Sequence, residues 1–297
     1  MDAAAAYEPR AAVVRIRSPG GDGDMAYLDF GPRDRLVDAV FLHANGFNGR
    51  TYRAILAPLA DHLRILAVDQ RGHGATRLST ETEGRNTWYG LRDDLIGFLH
   101  ALGLEDVVLA GHSMGGTAAT LAAAREPKLA RGLVLFDPVV ISSEARAVFQ
   151  RGGQLDSPLV EGARRRRAQF PSREAVFEAY QGRGAFKTWP REMLRDYIQA
   201  GFKDREDGTV ELACSPEWET SNFVSHAHDT WGALRAVQCP THILRAENAS
   251  ACQIAEIEQE LIASGRLRVE TVPGTTHFLP MERPDLARAA LREAVEG

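Results

Sequence analysis

The chain has few of the residues that mark disulfide-rich or redox-active proteins. Its 297 residues include three cysteines, Cys214, Cys239 and Cys252, and their spacing matches neither a metal site nor a redox pair. We expect plain core or surface thiols and a reducing, cytoplasmic location. The chain is 44% hydrophobic and 25% charged, which is typical of a globular protein with one large core.

Long apolar runs and a strong charge imbalance are also missing. No stretch approaches the roughly 18 apolar residues that a membrane span requires. The apolar patch in the start, MDAAAAYEPR, is too short for a signal peptide and follows an acidic residue. A formal net charge of −5 gives no electrostatic reason to expect nucleic acid or an anionic membrane as a partner. We therefore expect neither a nucleic acid nor a membrane as a partner, and the oligomeric state stays open.

Short apolar runs alternate with amphipathic stretches along most of the chain. The helical stretches lie near 51–60, 86–101, 114–125, 252–264 and 284–295. The apolar runs suit strands that helices cover on both faces, after an opening hairpin. This alternation predicts an α/β fold with a mostly parallel, eight-stranded sheet flanked by helices. The predicted strands are 11–18, 25–30, 38–43, 63–69, 107–111, 132–137, 241–246 and 267–272.

The alternation stops between residues 139 and 232, which have helical periodicity and no clear strand. This segment holds 11 of the 22 aromatic residues of the chain. We predict a helical cap inserted over the carboxyl ends of the strands, with residues 1–138 and 233–297 forming the core. The alternative is that the aromatics only pack the insertion's own small core. Within it, the run Arg164 to Arg167 is typical of a solvated helix face, and anion binding by these arginines stays open.

The sequence Gly111-His112-Ser113-Met114-Gly115 follows a predicted strand and opens a helix of small residues. In a strand–turn–helix setting, the flanking glycines let the backbone bend sharply and leave the serine hydroxyl pointing out of the sheet. The helix N-terminus favours negative charge that develops beside it. The pattern predicts that Ser113 is a nucleophile, although a glycine-rich helix start would look similar.

Three further motifs accompany the serine in order along the chain. They are VFLHANGFNGRTY, VDQRGHGAT and VPGTTHFLPMERP. In that order, they resemble the oxyanion loop, the Asp-x-Arg-Gly-x-Gly turn and the histidine segment of the α/β-hydrolase fold family. Together with Gly111 to Gly115, the resemblance extends from about residue 25 to 295. The resemblance implies the α/β-hydrolase fold with an inserted cap. It departs at His43-Ala44, where the family usually has His-Gly.

The resemblance also implies roles for particular residues. His277, after the last strand, is implied as the base that accepts the Ser113 proton. The backbone N–H groups of Met114 and Asn45 are implied as the oxyanion hole. Phe47 is a second option for the Asn45 donor and is expected to line the substrate pocket. His43 and His112 are expected to brace the loops around the site.

The third member of the triad is less clear from the sequence. The loop after strand 241–246 usually supplies an aspartate in this family, but here Ala249 and Ser250 occupy the expected positions. Glu247 is in the right loop but two or three positions early. Asp137 ends the preceding strand, where Pro138 favours an extended backbone, and some family members draw their acid from that position. We favour Asp137 as the acid, with Glu247 as the alternative. Asp137 could instead have only a structural role, bracing its loop.

These residues predict a serine hydrolase of small to medium hydrophobic carboxylic esters. Neither a metal nor an organic cofactor is required, and His226-Ala227-His228-Asp229 lacks a convincing third metal ligand. Trp189 and Phe223 are our choices for pocket residues in the cap. Lactone, thioester, amide and carbon–carbon bond hydrolysis stay compatible with the same site. A hydrolase-like ligand receptor with little turnover is a further alternative.

Overall fold

The computed structural model describes residues 7–153 and 157–297. The strands found there are β1 (Arg10–Ile16), β2 (Gly23–Phe30), β3 (Ala39–Leu42), β4 (Ile65–Val68), β5 (Val107–His112), β6 (Ala130–Phe136), β7 (Gln169–Phe170), β8 (Phe202–Asp204), β9 (Val210–Leu212), β10 (Thr241–Ala246) and β11 (Leu267–Val272).

The α-helices of the same residues are α1 (Arg53–Leu56), α2 (Tyr89–Ala101), α3 (Met114–Arg125), α4 (Ser143–Gln150), α5 (Pro158–Arg164), α6 (Arg173–Tyr180), α7 (Arg191–Gly201), α8 (Pro216–Val224), α9 (Thr230–Ala236), α10 (Glu258–Ala263), α11 (Leu279–Glu282) and α12 (Pro284–Glu296). Short 3₁₀ segments, such as Gly184–Phe186, connect some of them. Within the described ranges, no helix has both the length and the apolar character needed to cross a bilayer.

One eight-stranded sheet forms the centre of the molecule. Its strand order is β1-β2-β4-β3-β5-β6-β10-β11. The pairs β1/β2 and β2/β4 are antiparallel, whereas every other neighbouring pair is parallel. The predicted mostly parallel sheet is therefore confirmed, and each of the eight predicted runs overlaps one of its strands. The carboxyl ends of the parallel strands all lie at the same end of the sheet, where ligands of such sheets bind.

Helices on both sides explain why the central strands are apolar along their whole length. Every residue of β3, β4 and β5 is buried. On one side, α2, α3 and α9 pack on the sheet and form one hydrophobic core. On the other side, α1 and α12 form a second core, which continues into aromatic residues of the inserted segment. A strand buried on both faces cannot alternate polar and apolar residues, so it reads as a continuous apolar run.

The described residues of the inserted segment 139–232 form several helices, as predicted, but they also form three short strands, which the sequence analysis did not predict. β7, β8 and β9 form a small antiparallel sheet in the order β7-β9-β8. Strands of two or three residues are too short to show alternation, which is why the pattern missed them. The predicted boundary after residue 232 falls inside α9. Trp231 and Leu234 of that helix are buried in the core beside α3.

The contact between α3 and the sheet depends on glycine. A Cβ on Gly115 would collide with the backbone carbonyl of Leu42 at the end of β3. Backbone atoms of two packed elements cannot move apart without loss of other contacts, so a methyl group has no room there.

We predict that Gly115→Ala lowers the free energy of unfolding by about 1–3 kcal/mol through overpacking. The matched control is Gly90→Ala in α2, because a Cβ there meets open space and alanine favours a helix. Urea unfolding of both variants measures the difference. Equal stabilities of the two variants would contradict the packing argument.

Candidate active site

Ser113 lies at the sharp turn between β5 and α3. Its backbone has φ 56° and ψ −120°, a left-handed conformation that is strained for a residue with a side chain. The turn is held because the Ser113 N–H donates to the carbonyl of Phe136 at 3.0 Å. The residue is only 6% exposed, and its hydroxyl lines a cavity at the carboxyl edge of the sheet. This geometry is the sharp strand–turn–helix bend that the sequence pattern predicts.

His277 lies in the loop after β11, with its ring between Ser113 and Asp137. Its Nδ1 is 2.6 Å from Oδ2 of Asp137, and its Nε2 is 2.9 Å from Oγ of Ser113. A carboxylate only accepts hydrogen bonds, so Nδ1 carries the proton and donates it. Nε2 is then free to accept the hydroxyl proton of Ser113. The ring is therefore oriented for proton transfer from the serine.

The carboxylate of Asp137 is fully buried and accepts four hydrogen bonds. Oδ1 accepts from the Ala246 N–H (2.9 Å) and the Ser250 hydroxyl (2.5 Å), and Oδ2 accepts from the Ala251 N–H (2.9 Å) and from His277. Burial raises the pKa of Asp137, but the bonds to His277, Ser250 and Ala246 outweigh it and leave this pKa below its usual value. The carboxylate is thus held in its charged form.

The loop after β10 binds the carboxylate that it does not itself provide. Ser250, one of the two positions where the family aspartate was expected, donates to Asp137 instead. Ala249 takes a positive φ of 50°. Glu247 points elsewhere, and its Oε2 accepts from the N–H of Gly274 at 2.8 Å. Of the two candidate acids, the structure brings Asp137 to His277 and leaves Glu247 bracing the histidine loop.

Two backbone N–H groups near Ser113 are available to a ligand. Met114 is the first residue of α3, so its N–H has no acceptor within the helix. The N–H of Asn45 has no hydrogen-bond partner in the part of the chain that the structure describes. Asn45 lines the same cavity as Ser113, as does Phe47. The Asn45 side chain donates to the carbonyl of Glu219 at 3.0 Å, which ties this loop to the inserted segment.

Two neutral histidines hold the Asn45 loop in shape. Nδ1 of His43 donates to the carbonyl of Ala44 (2.7 Å), and its Nε2 accepts from the N–H of Gln70 (2.9 Å). Nε2 of His73 accepts from the N–H of Gly46 (2.9 Å). Burial lowers the pKa of both rings, that of His73 to about 4. A neutral imidazole can donate and accept at once, which a charged one cannot.

A family model matches most of the chain. The model described as the alpha/beta hydrolase family matches residues 39–290. The chain belongs to the alpha/beta hydrolase family.

Relatives of this alpha/beta hydrolase include enzymes with different named substrates. It is 26% identical over 259 residues to the 2-(acetamidomethylene)succinate hydrolase of Mesorhizobium japonicum, covering 86% of this chain and 87% of the relative. It is 25% identical to a bifunctional esterase/perhydrolase of Acinetobacter calcoaceticus, covering 86% and 90%. The crystal structure of E-2-(acetamidomethylene)succinate hydrolase superposes with a TM-score of 0.78 at 23% identity, covering 97% and 100%. These relatives are named hydrolases, and the superposition supports the fold.

His112 has a bracing role, as expected, since it connects the loop of Asn45 to the loop of His277. Its Nε2 donates to the backbone carbonyl of His277 (2.7 Å), so its Nδ1 accepts from the hydroxyl of Tyr52 (2.7 Å). That hydroxyl in turn accepts from the N–H of Ala44 at 3.1 Å. Burial lowers the pKa of His112 to about 3 and keeps the ring neutral. Sequence reasoning missed Tyr52, because nothing in its flanking residues signals a contact 60 positions away.

The cavity above Ser113 has a volume of about 520 Å³ and mixed walls. Phe223, from the inserted segment, lines it as predicted from the sequence. Trp189 does not line it, which corrects that prediction: its ring packs behind Phe47, with the ring centroids 5.1 Å apart. The lining residues are Ala44, Asn45, Phe47, Ser113, Pro158, Leu159, Gly162, Ala163, Arg166, Arg167, Ala179, Tyr180, Arg183, Gly184, Ala185, Phe186, Glu219, Phe223, His277 and Phe278.

The remaining histidine motif, His226 and His228, lies away from this cavity. Both rings are buried and pack against Trp88, with ring centroids 4.8 and 4.9 Å from it. Burial lowers the pKa of His226 to about 4 and that of His228 to about 3. In residues 7–153 and 157–297, no group of three or more His, Cys, Asp or Glu side chains is arranged to hold a metal ion.

We predict that Asp137→Asn slows the reaction of Ser113 with a fluorophosphonate probe by roughly 10³–10⁴, because the neutral amide no longer supports an imidazolium. Intact-protein mass spectrometry after timed labelling gives the rate. The control is Glu247→Gln, which should label at nearly the wild-type rate.

All four groups around Asp137 donate hydrogen bonds, so the NH₂ of asparagine would face a donor. A thermal melt of Asp137→Asn therefore accompanies the labelling, to show that slow labelling is not unfolding. A larger loss in Glu247→Gln than in Asp137→Asn would assign the acid to Glu247.

Proposed function

We propose that this alpha/beta hydrolase cleaves carboxylic esters through an acyl-enzyme on Ser113, with His277 as the base and Asp137 as the acid. The observation that carries the proposal is the continuous hydrogen-bond chain from Asp137 to His277 (2.6 Å) and from His277 to Ser113 (2.9 Å). A serine needs such a base, and the base needs an orienting group, before the hydroxyl can attack a carbonyl.

In the acylation step, Oγ of Ser113 attacks the ester carbonyl carbon while Nε2 of His277 takes the hydroxyl proton. The negative charge that develops on the carbonyl oxygen is stabilised by the N–H groups of Asn45 and Met114. The imidazolium is stabilised by the charged Asp137. His277 then gives its proton to the departing alkoxide, which leaves as an alcohol, and the acyl group stays on Ser113.

In the deacylation step, Nε2 of His277 takes a proton from a water molecule as its oxygen attacks the acyl carbonyl. The same two N–H groups stabilise the second oxyanion. When the intermediate collapses, the proton returns to Oγ of Ser113 and the carboxylic acid departs. Each step uses only groups of this chain and water.

We further propose that the inserted segment 139–232 acts as a lid over Ser113. The support for this is that the cavity lined by Ser113 is also lined by Leu159 of α5, Tyr180 of α6 and Phe223 of α8. A cavity of about 520 Å³ with aromatic walls suits a small to medium ester with apolar groups.

Amide hydrolysis is a second candidate reaction. It is favoured by the relative from Mesorhizobium japonicum, whose name describes an acetamido compound as its substrate. The same triad and oxyanion groups serve both reactions, and an amide differs mainly in the need to protonate its leaving nitrogen. The esterase/perhydrolase of Acinetobacter calcoaceticus favours the ester reaction.

We predict that Ser113→Ala lowers kcat for p-nitrophenyl butyrate by a factor on the order of 10⁶, because the nucleophile is lost while the binding groups stay. Release of p-nitrophenolate measures the rate, and circular dichroism checks the fold. Activity close to that of the wild type would refute the assignment of the nucleophile.

The same assay distinguishes an enzyme from a ligand receptor. A burst of one p-nitrophenolate per chain followed by steady turnover supports a hydrolase. A burst without turnover would show that the acyl group stays on Ser113 and would support the receptor. Wild-type turnover of an N-acyl p-nitroaniline at a rate near that of the ester would support the amide reaction.

We predict that Phe223→Ala mainly changes substrate selectivity, whereas Trp189→Ala mainly lowers stability. Phe223 is half-buried and lines the cavity, so its removal should change the ratio of kcat/KM between short and long acyl chains and cost little stability. Trp189 is 8% exposed in a cluster of aromatic rings, so its removal should cost about 3–5 kcal/mol of unfolding free energy. Thermal melts and an acyl-length series measure both. If Phe223→Ala leaves the chain-length ratio unchanged, the lid proposal loses its support.

A further inference from the structure

The run of four arginines splits into two pairs with different surroundings. Arg164 and Arg165 are exposed and pair with Glu161 on the outer face of α5, at 3.0 and 3.4 Å. Because α5 ends at Arg164, the chain then turns, and Arg166 and Arg167 line the cavity above Ser113. The solvated-face interpretation therefore holds for the first pair alone.

Arg166 is the buried member, and its charge is already balanced. Its Nη1 donates to both carboxylate oxygens of Glu219, at 2.9 and 2.8 Å, and its Nη2 donates to the hydroxyl of Tyr197. The two side chains of the ion pair are 17% and 10% exposed. Such a pair is costly to break, so it forms a fixed part of the wall.

Two further arginines, Arg167 and Arg183, line the same cavity, and we call them the arginine pair. Both are exposed, and neither has a carboxylate partner among residues 7–153 and 157–297. The guanidinium of Arg167 stacks over Phe170 at 4.4 Å, and its Nε donates to the carbonyl of Gln169. Its terminal nitrogens have no acceptor in the same described part of the chain.

The charge of the cavity lining is opposite to the charge of the chain. The lining contains three arginines and one carboxylate, that of Glu219, which gives a local charge of +2 when His277 is neutral. The whole chain carries −5. A positively charged wall in an otherwise acidic protein concentrates anions at the cavity. Guanidinium groups bind carboxylates through paired N–H donors.

We propose that the substrate carries a carboxylate away from its scissile carbonyl and that the arginine pair, Arg167 and Arg183, binds it. This inference rests on the proposed function, since it names the class of substrate for the same site. The apolar wall, which includes Phe47, Phe186 and Phe278, contacts the part of the substrate between its carboxylate and its scissile carbonyl. The substrate is thus a monoester of a dicarboxylic acid, or an ester of a hydroxy acid.

The test compares esters that are matched except for the charge. The first pair, p-nitrophenyl hydrogen adipate and p-nitrophenyl hexanoate, places the carboxylate on the acyl part. The second pair, 5-acetoxypentanoate and pentyl acetate, places it on the alcohol part. We expect the wild type to prefer the charged member of at least one pair in kcat/KM, and the preference to shrink in 1 M NaCl. A preference for the neutral member of both pairs would overturn the proposal.

Substitutions then assign the preference to residues. Arg167→Gln and Arg183→Gln should each lower the charged-to-neutral ratio about threefold to fivefold, as expected for partly exposed ion pairs. Arg183→Glu should reverse the ratio. The matched control is Arg164→Gln, from the same run but on the outer face, which should leave the ratio unchanged. If Arg164→Gln lowers the ratio as much as Arg167→Gln and Arg183→Gln do, the arginine pair is not the binding site.

Binding to Ser113→Ala separates this proposal from the proposed hydrolysis. Isothermal titration of that variant should show that monomethyl adipate binds and that methyl hexanoate does not. Adding Arg183→Gln to Ser113→Ala should weaken the binding of monomethyl adipate. This result would support the anion site even if the wild type turns over no ester. In that case only the proposal of ester hydrolysis would be refuted. Equal binding of the charged and neutral compounds would overturn the anion site and leave the hydrolase proposal standing.

Discussion

The candidate site depends on one buried charge, the carboxylate of Asp137. A carboxylate without partners would be far too costly at 0% exposure, and four donors around it remove that cost. One of these donors is the N–H of Ala246, the last residue of β10, two come from Ser250 and Ala251 in the loop that follows, and the fourth is the ring of His277. The same interaction therefore joins β6 to the loop after β10 and sets the direction in which His277 points. The orientation of its other nitrogen toward Ser113 follows from that.

Neutral histidines perform the comparable task on the other side of the site. His43, His73 and His112 are buried, and burial lowers their pKa values so that each ring can donate from one nitrogen and accept at the other. They hold the loop that carries Asn45 and connect it to the backbone of His277. The position of the Asn45 N–H, one of the two proposed oxyanion donors, thus rests on hydrogen bonds made by these histidines. Preorganised donors of this kind do not need to reorient as charge develops.

The inserted segment and the core meet through polar contacts as well as aromatic packing. The Asn45 side chain donates to the backbone of Glu219, and the carboxylate of Glu219 holds Arg166. The wall of the cavity is therefore coupled to the loop that carries the Asn45 N–H. On this view, the arginine pair differs from Arg166 because its charges face the cavity without a balancing carboxylate among the described residues. The arginines that we propose to bind the substrate carboxylate are therefore separate from the groups that hold the Asn45 loop.

The sequence by itself determined the parts of this protein that follow from local patterns. Eight short runs predicted the eight strands, and the central ones are apolar throughout because helices cover both of their faces. The glycines around Ser113 predicted the sharp turn, because a Cβ there has no room. The family resemblance supplied the position of His277, and it left the acid open between Asp137 and Glu247.

Tertiary structure decided the features that depend on distant residues meeting. Asp137 and Glu247 lie in adjacent loops, and only the fold shows that Ser250 and two N–H groups turn toward the first while Gly274 occupies the second. Tyr52, the short strands of the inserted segment and the place of Trp189 behind Phe47 carry no local signal either. In the arginine run, identical residues divide between solvent and cavity because a helix ends at Arg164. A pattern along the chain records which face a residue prefers, whereas the identity of its partner is set by packing across the fold.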